Sequence, residues 1–153
     1  MAINQSELTV ERFIKASPST VWQAWSTPEH LEKWWIPAPI ECKVIKLDLR
    51  AGGGFETRMR QSGEDFQPHI EGCFLEVVPD KRLVWTTVLQ EGWQPAEPWL
   101  ALTAIITFTP EGNGTLYRAH VLHRNTEDSL KHQEMGFFDG WGTVIEQLAK
   151  TVE

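Results

Sequence analysis

SPSTVWQAWSTPEHLEKWW, residues 17–35, holds two helix starts ten residues apart and ends in a tryptophan pair. Ser17 before Pro18 and Thr27 before Pro28 each read as an N-cap followed by proline at the first helical position, where its missing N–H costs nothing. Val21, Trp22 and Trp25 fall on one face of the first helix, and Leu31, Trp34 and Trp35 repeat the pattern on the second. Both helices therefore need a large apolar surface to cover. Four of the eight tryptophans lie in this stretch, more aromatic surface than two short helices need for their own packing. That excess points to one wall of a roomy interior.

Outward from it the chain reads as strands. Glu7 to Ile14 precedes the helices, with Leu8, Val10 and Arg12 on one face and Thr9, Glu11 and Phe13 on the other. Ile40–Leu49 follows, and GGG at 52–54 is a turn before Phe55–Arg60. His69–Val78 and Leu83–Leu89 form a meander across Pro79-Asp80-Lys81. A loop rich in Pro and Trp, 90–98, leads to a last hairpin of Leu100–Thr109 and Thr115–His123. From about Asp128 the period changes to 3.6. Leu130, Phe137, Trp141, Val144, Ile145, Leu148 and Val152 then mark one stripe of a single helix over roughly 128–150. Seven antiparallel strands, two small helices after the first and one long helix at the end predict an α+β fold, a curved sheet wrapped around that helix. No repeat, low-complexity tract or linker divides the chain, so residues 1–153 read as one domain.

Composition excludes several classes. Fourteen Lys and Arg against 21 Asp and Glu give a net charge of −7, which repels phosphate backbones, so nucleic acid is not an expected partner. No run reaches the length of a membrane span. Cys42 and Cys73 are the only cysteines, and neither a CxxC pair nor a signal peptide is present, so two reduced thiols in a cytoplasmic protein are expected. Oligomeric state is not written in the pattern.

The blocks VERFIKASPSTVWQAWSTPEHLEKWW (10–35), DLRAGGGFETRMR (48–60), IEGCFLEVVPDKRLVWT (70–86), GTLYRAHVLH (114–123) and HQEMGFFDGWGTVIEQLAK (132–150) resemble, in this order, the START-like (SRPBCC) helix-grip superfamily. Within it they resemble the branch of homologues of the activator of the ninety-kilodalton heat-shock protein ATPase. The resemblance implies a helix-grip fold with an internal, largely hydrophobic cavity. It also implies functions ranging over lipid or polyketide binding, cyclisation and co-chaperone work, a range that the fold alone does not narrow.

Arg58, His69, Glu71, Arg118, His120 and His123 all lie on predicted strands. Strict alternation puts His69 with Glu71 on one face and Arg118 with His120 on one face. Whichever set faces inward is a candidate for orienting a ligand's carboxylate, carbonyl or hydroxyl, whereas on the outer face the same residues are ordinary solvated positions. His120 and His123 face opposite sides and His132 sits on the helix without HExxH spacing, so no metal site is expected. Cys42 and Cys73 sit among apolar neighbours, and no nucleophile elbow or phosphate loop occurs. No catalytic constellation is recognisable and no cofactor is implied. Gly136, Gly140 and Gly142 in one predicted helix each cost about 1 kcal/mol against alanine, which points first to close approach of another backbone and second to space left for a ligand.

Three functions follow from these readings. The first is binding of a small hydrophobic or amphipathic molecule between sheet and C-terminal helix. Trp34, Trp35, Trp85, Phe137 and Trp141 would line that site, with Arg58, His69, Glu71 or His120 as polar anchor. The second is a cyclase, dehydratase or hydrolase acting on such a molecule by acid–base chemistry. The third, implied by the resemblance, is a co-chaperone-like role with a chaperone partner, which needs an exposed contact surface that the sequence does not advertise.

Overall fold

Ser17 caps the first helix as its sequence predicts, the hydroxyl accepting from the Thr20 N–H at 3.2 Å, in a computed structural model that describes residues 6–153. The first five residues of the predicted domain lie outside the described part. Strand β1 (Glu7–Ile14) leads into α1 (Pro18–Ser26) and α2 (Pro28–Leu31), followed by β2 (Glu41–Leu47), β3 (Gly54–Arg60), β4 (Gln67–Val78) and β5 (Arg82–Thr86). The segment 90–98, predicted as a loop, carries a small ribbon of β6 (Leu89–Gln90) and β7 (Gln94–Pro95) around a single 3-10 turn. Then come β8 (Leu102–Glu111), β9 (Gly114–His123), α3 (Thr126–Glu134) and α4 (Phe137–Val152).

Seven strands form one antiparallel sheet in the order β1-β9-β8-β5-β4-β3-β2. The helices cover one face, and between them and the sheet lies one core that includes Trp22, Trp25, Trp34, Phe55, Phe74, Trp85, Phe108 and Phe137. This is the predicted helix-grip architecture. Arg12 fastens the edge strand to the end of α4: its Nε donates to Glu146 at 2.6 Å and an Nη to Glu153 at 3.1 Å.

Two helical expectations need correction. Helix α2 is a single turn, and the Thr27 hydroxyl does not cap it. Instead the Thr27 carbonyl accepts from the N–H groups of His30 and Leu31, both at 2.9 Å, so Trp34 and Trp35 stand just beyond the helix. The long helix predicted over 128–150 is two helices. Asn125 caps α3, its side chain accepting from the Asp128 N–H at 2.8 Å. Gly136 then adopts φ +94°, the left-handed conformation that glycine reaches without strain, and the chain restarts as α4. Leu130 falls off the stripe and is 52% exposed. Phe137, Ile145 and Leu148 are buried, with Trp141, Val144 and Val152 half-buried against them.

Cys42 and Cys73 are free thiols. Burial pushes Cys42 up to about 12, with Glu32 nearby adding to the shift. Among the described residues no helix is long and apolar enough to cross a membrane.

Candidate functional site

A cavity of about 240 Å³ opens between the sheet and the α3–α4 pair. Trp35, Trp85, Phe137 and Trp141 form its aromatic walls. Trp141 stacks nearly parallel to Trp85, with 6.4 Å between ring centroids and 3° between planes, and stacks also with Phe137 at 5.2 Å. The floor is Ile70, Leu100 and Leu102 of the sheet and its approaches, and Trp99, Met135 and Pro37 stand at the rim. Trp99 is 66% exposed and Met135 50%, so the mouth carries apolar surface in contact with solvent.

The glycines explain the space. Gly136 and Gly140 line the cavity, and a Cβ at either would meet nothing within 4 Å. Close backbone approach, the first expectation for these positions, is therefore absent, and Gly142 has open space as well. Side chains are missing where the helix passes over the cavity.

Two of the walls hold a polar group without a protein partner. The indole N–H groups of Trp35 and Trp85 are buried and make no hydrogen bond to the described residues. Leaving a buried donor unpaired costs about 1–3 kcal/mol, so such groups are uncommon without a reason. Trp34, predicted to line the cavity with its neighbour, does not. It is fully buried, its Nε1 donates to the Ala24 carbonyl at 3.1 Å, and its ring packs edge-on against Trp25. Gln147 of α4 holds this segment in place by donating to the Trp34 and Ile36 carbonyls, each at 3.0 Å.

Of the polar residues singled out from the sequence, His69 alone reaches the cavity. Strict alternation would give it the same face as Glu71, but the ladder shifts here: Thr57 pairs with Ile70 while the next residue, Arg58, pairs with Pro68. His69 is the extra residue of a bulge, and the bulge turns it to the same side as Ile70. Its Nδ1 meets the buried Thr57 hydroxyl at 3.0 Å, and burial lowers its pKa to about 4. Glu71 remains on the outer face, exposed. Arg58 is also outside, 3.6 Å from Glu56. His120 lies on the outer face of β9, where Nε2 meets Glu7 at 2.9 Å, and its neighbour Arg118 is exposed on that face.

The sequence reading missed His132. It lines the cavity from α3 with its ring edge-on to Phe137 at 4.8 Å, and its Nδ1 lies 2.8 Å from Nε2 of His123 on β9. Burial, and the neighbouring imidazole second, push His132 down to about 4. Placing the helix start at Asp128 hid the signal, which is the N-cap pattern of Asn125 with Asp128. Starting α3 there brings its second turn back over the inward end of β9. The cavity thus sets two neutral imidazoles among four aromatic rings, a set suited to binding an uncharged, largely apolar molecule. Among the described residues no cluster of three potential metal ligands occurs.

The family model described as "Activator of Hsp90 ATPase homolog 1-like protein" matches residues 15–153. A crystal structure of a Nitrosomonas europaea protein is 38% identical, covers 98% of this chain and 96% of its own, and superposes with a TM-score of 0.87. A Mycobacterium smegmatis protein is 22% identical over 97% of this chain and 91% of its own, with a TM-score of 0.79. A solution structure from Arthrobacter aurescens is 20% identical over 97% and 86%, with a TM-score of 0.82. The last two report likeness of fold alone. No curated protein matches the chain.

Proposed function

The chain belongs to the Activator of Hsp90 ATPase homolog 1-like family, and from that premise we propose that it binds a small, uncharged, largely apolar molecule in the cavity between the sheet and α3–α4. The observation that carries this reading is the cavity itself, walled by four aromatic rings and left unfilled where Gly136 and Gly140 carry no side chain. An interior lined by aromatic rings and left unfilled by side chains is a place for an apolar ligand, and the indole N–H groups of Trp35 and Trp85, closed off from the cavity, take no part in it. Trp35, Trp85, Phe137 and Trp141 supply the slot, His69 is the polar anchor retained from the sequence expectations, and exposed Trp99 and Met135 give an apolar ligand its first contact. Arg58, Glu71 and His120 have no part in it. A cytoplasmic setting fits the two free thiols.

The test is native mass spectrometry of protein purified without denaturant, followed by calorimetric titration with fatty alcohols and two-ring aromatic ketones. Saturable binding tighter than about millimolar, roughly −4 kcal/mol, is expected. Trp141→Ala should weaken a ketone about five- to tenfold by removing a wall ring, while Trp34→Phe leaves affinity unchanged. No binding by any of these ligands sinks the reading. Acid–base turnover of the bound molecule is the second reading, favoured by the imidazoles of His69 and His132 at the cavity. A changed mass of the ligand after incubation would decide for it.

A further inference from the structure

His123 and His132 make a chain of hydrogen bonds whose protons can be assigned. The Ser6 carbonyl lies 2.9 Å from His123 Nδ1 and can only accept, so His123 carries its proton on Nδ1. His123 Nε2 lies 2.8 Å from His132 Nδ1, and one proton must sit between them. Neither ring has a carboxylate among its hydrogen-bond partners. An extra proton would therefore be a buried charge without a counter-ion, and both rings are neutral. Burial lowering the His132 pKa to about 4 agrees with this. A neutral His123 protonated on Nδ1 has a bare Nε2, so His132 must donate from Nδ1. That leaves His132 Nε2 with a lone pair, and no described residue donates to it. The residue lines the cavity beside Phe137, Gly140 and Trp141.

We propose that His132 Nε2 is a fixed hydrogen-bond acceptor in the cavity and that the ligand is an uncharged hydroxylated aromatic of about two rings, its hydroxyl donating to this atom. The inference rests on the binding function proposed above and adds the polar group that the ligand must carry. Ring size follows from volume: apolar cavities of about 150 Å³ take benzene, and this one measures about 240 Å³. The aromatic walls of Trp35, Trp85, Phe137 and Trp141 favour aromatic molecules. The Ser6 carbonyl holds the whole chain of protons in one direction, so the acceptor is preorganised and no rearrangement accompanies binding.

The experiment compares 2-naphthol with 2-methoxynaphthalene by calorimetry on the full chain at neutral pH. Naphthol should bind at least fivefold more tightly, and His132→Phe, which keeps a ring against Phe137 but has no acceptor, should close the gap. Equal affinities for the wild type would overturn the acceptor proposal while leaving the cavity reading intact. Binding by neither probe would overturn both. Because His132→Phe leaves His123 without its partner and so weakens the fold, the nitrogen shifts of the wild type with 15N-labelled histidine provide an independent readout. His132 Nε2 should appear as an unprotonated nitrogen whose signal moves towards the protonated range with naphthol and not with its methyl ether. A proton found on Nε2 in the free protein would refute the assignment.

Discussion

Trp25 and Trp34 on one side of the interior, and Trp35 and Trp85 on the other, are the same residue type put to opposite uses. Trp25 donates to the Tyr117 hydroxyl at 2.9 Å and Trp34 to the Ala24 carbonyl at 3.1 Å, and both rings are fully buried. Trp35 and Trp85 sit one ring further on, 5.8 Å apart edge to face, with their N–H groups unpaired and a cavity beside them. Area burial does not separate the pairs, since Trp85 is as deeply buried as Trp34. The polar handle does. The two paired indoles stand in the packed core, and the two unpaired ones belong to rings that wall the cavity.

The largest effect that tests this contrast is truncation on the packed side. Trp25→Ala removes a fully buried ring and orphans the Tyr117 hydroxyl, and should cost about 3–5 kcal/mol in urea unfolding. A loss under 1 kcal/mol would mean that the packed side is no better filled than the cavity side. Acid should act on the cavity side. His69 and His132 titrate near 4 in the fold and near 6.5 when unfolded. The unfolded chain therefore takes up protons first, and the stability these neutral imidazoles confer is complete above about pH 6.5 and drains away as pH falls towards 4. His69 should account for a loss of about 3 kcal/mol over that window and His132 for a smaller further share, and His69→Gln should remove the larger part of the slope. A curve flat between pH 7 and 4.5 would contradict the burial of both rings.

The succession of strands and helices along the chain and most of the core were legible in the sequence, because they rest on periods of two and 3.6 that local residues carry themselves. What was hidden depends on single residues that interrupt a period. Trp34 and Trp35 are adjacent and chemically alike, and only the position of the Ala24 carbonyl distinguishes the core member from the wall member. Glu71 was expected beside His69 until the bulge at His69 broke the alternation. The His123–His132 contact joins a strand to the helix after it, and placing it required the Asn125 cap and the break at Gly136, both of which a single 128–150 helix conceals.

Smaller effects sharpen the contrast at the cavity itself. Trp141 is half-buried, stacked on two rings but open on the cavity side. Trp141→Ala should therefore cost only about 1–2 kcal/mol, below the range for a fully buried ring. A cost as large as that of Trp25→Ala would make it core. The smallest change has the opposite sign. Gly140→Ala should raise stability by about 0.5–1 kcal/mol, since the helix gains propensity and the new methyl meets nothing within 4 Å. The same methyl narrows the cavity, so thermal melts should rise while the affinity for two-ring ligands falls.

The bulge at His69 also has an engineering consequence. Pro68 stays in register with Arg58 and Ile70 with Thr57 on either side of it, so the residue at 69 is spliced into the strand without changing the face of any neighbour. Residue 69 is thus a socket. Its side chain can be exchanged, for an amide, a thiol or a carboxylate, while every other wall of the cavity keeps its place, and a library at this one codon would sample cavity chemistries on an unaltered scaffold.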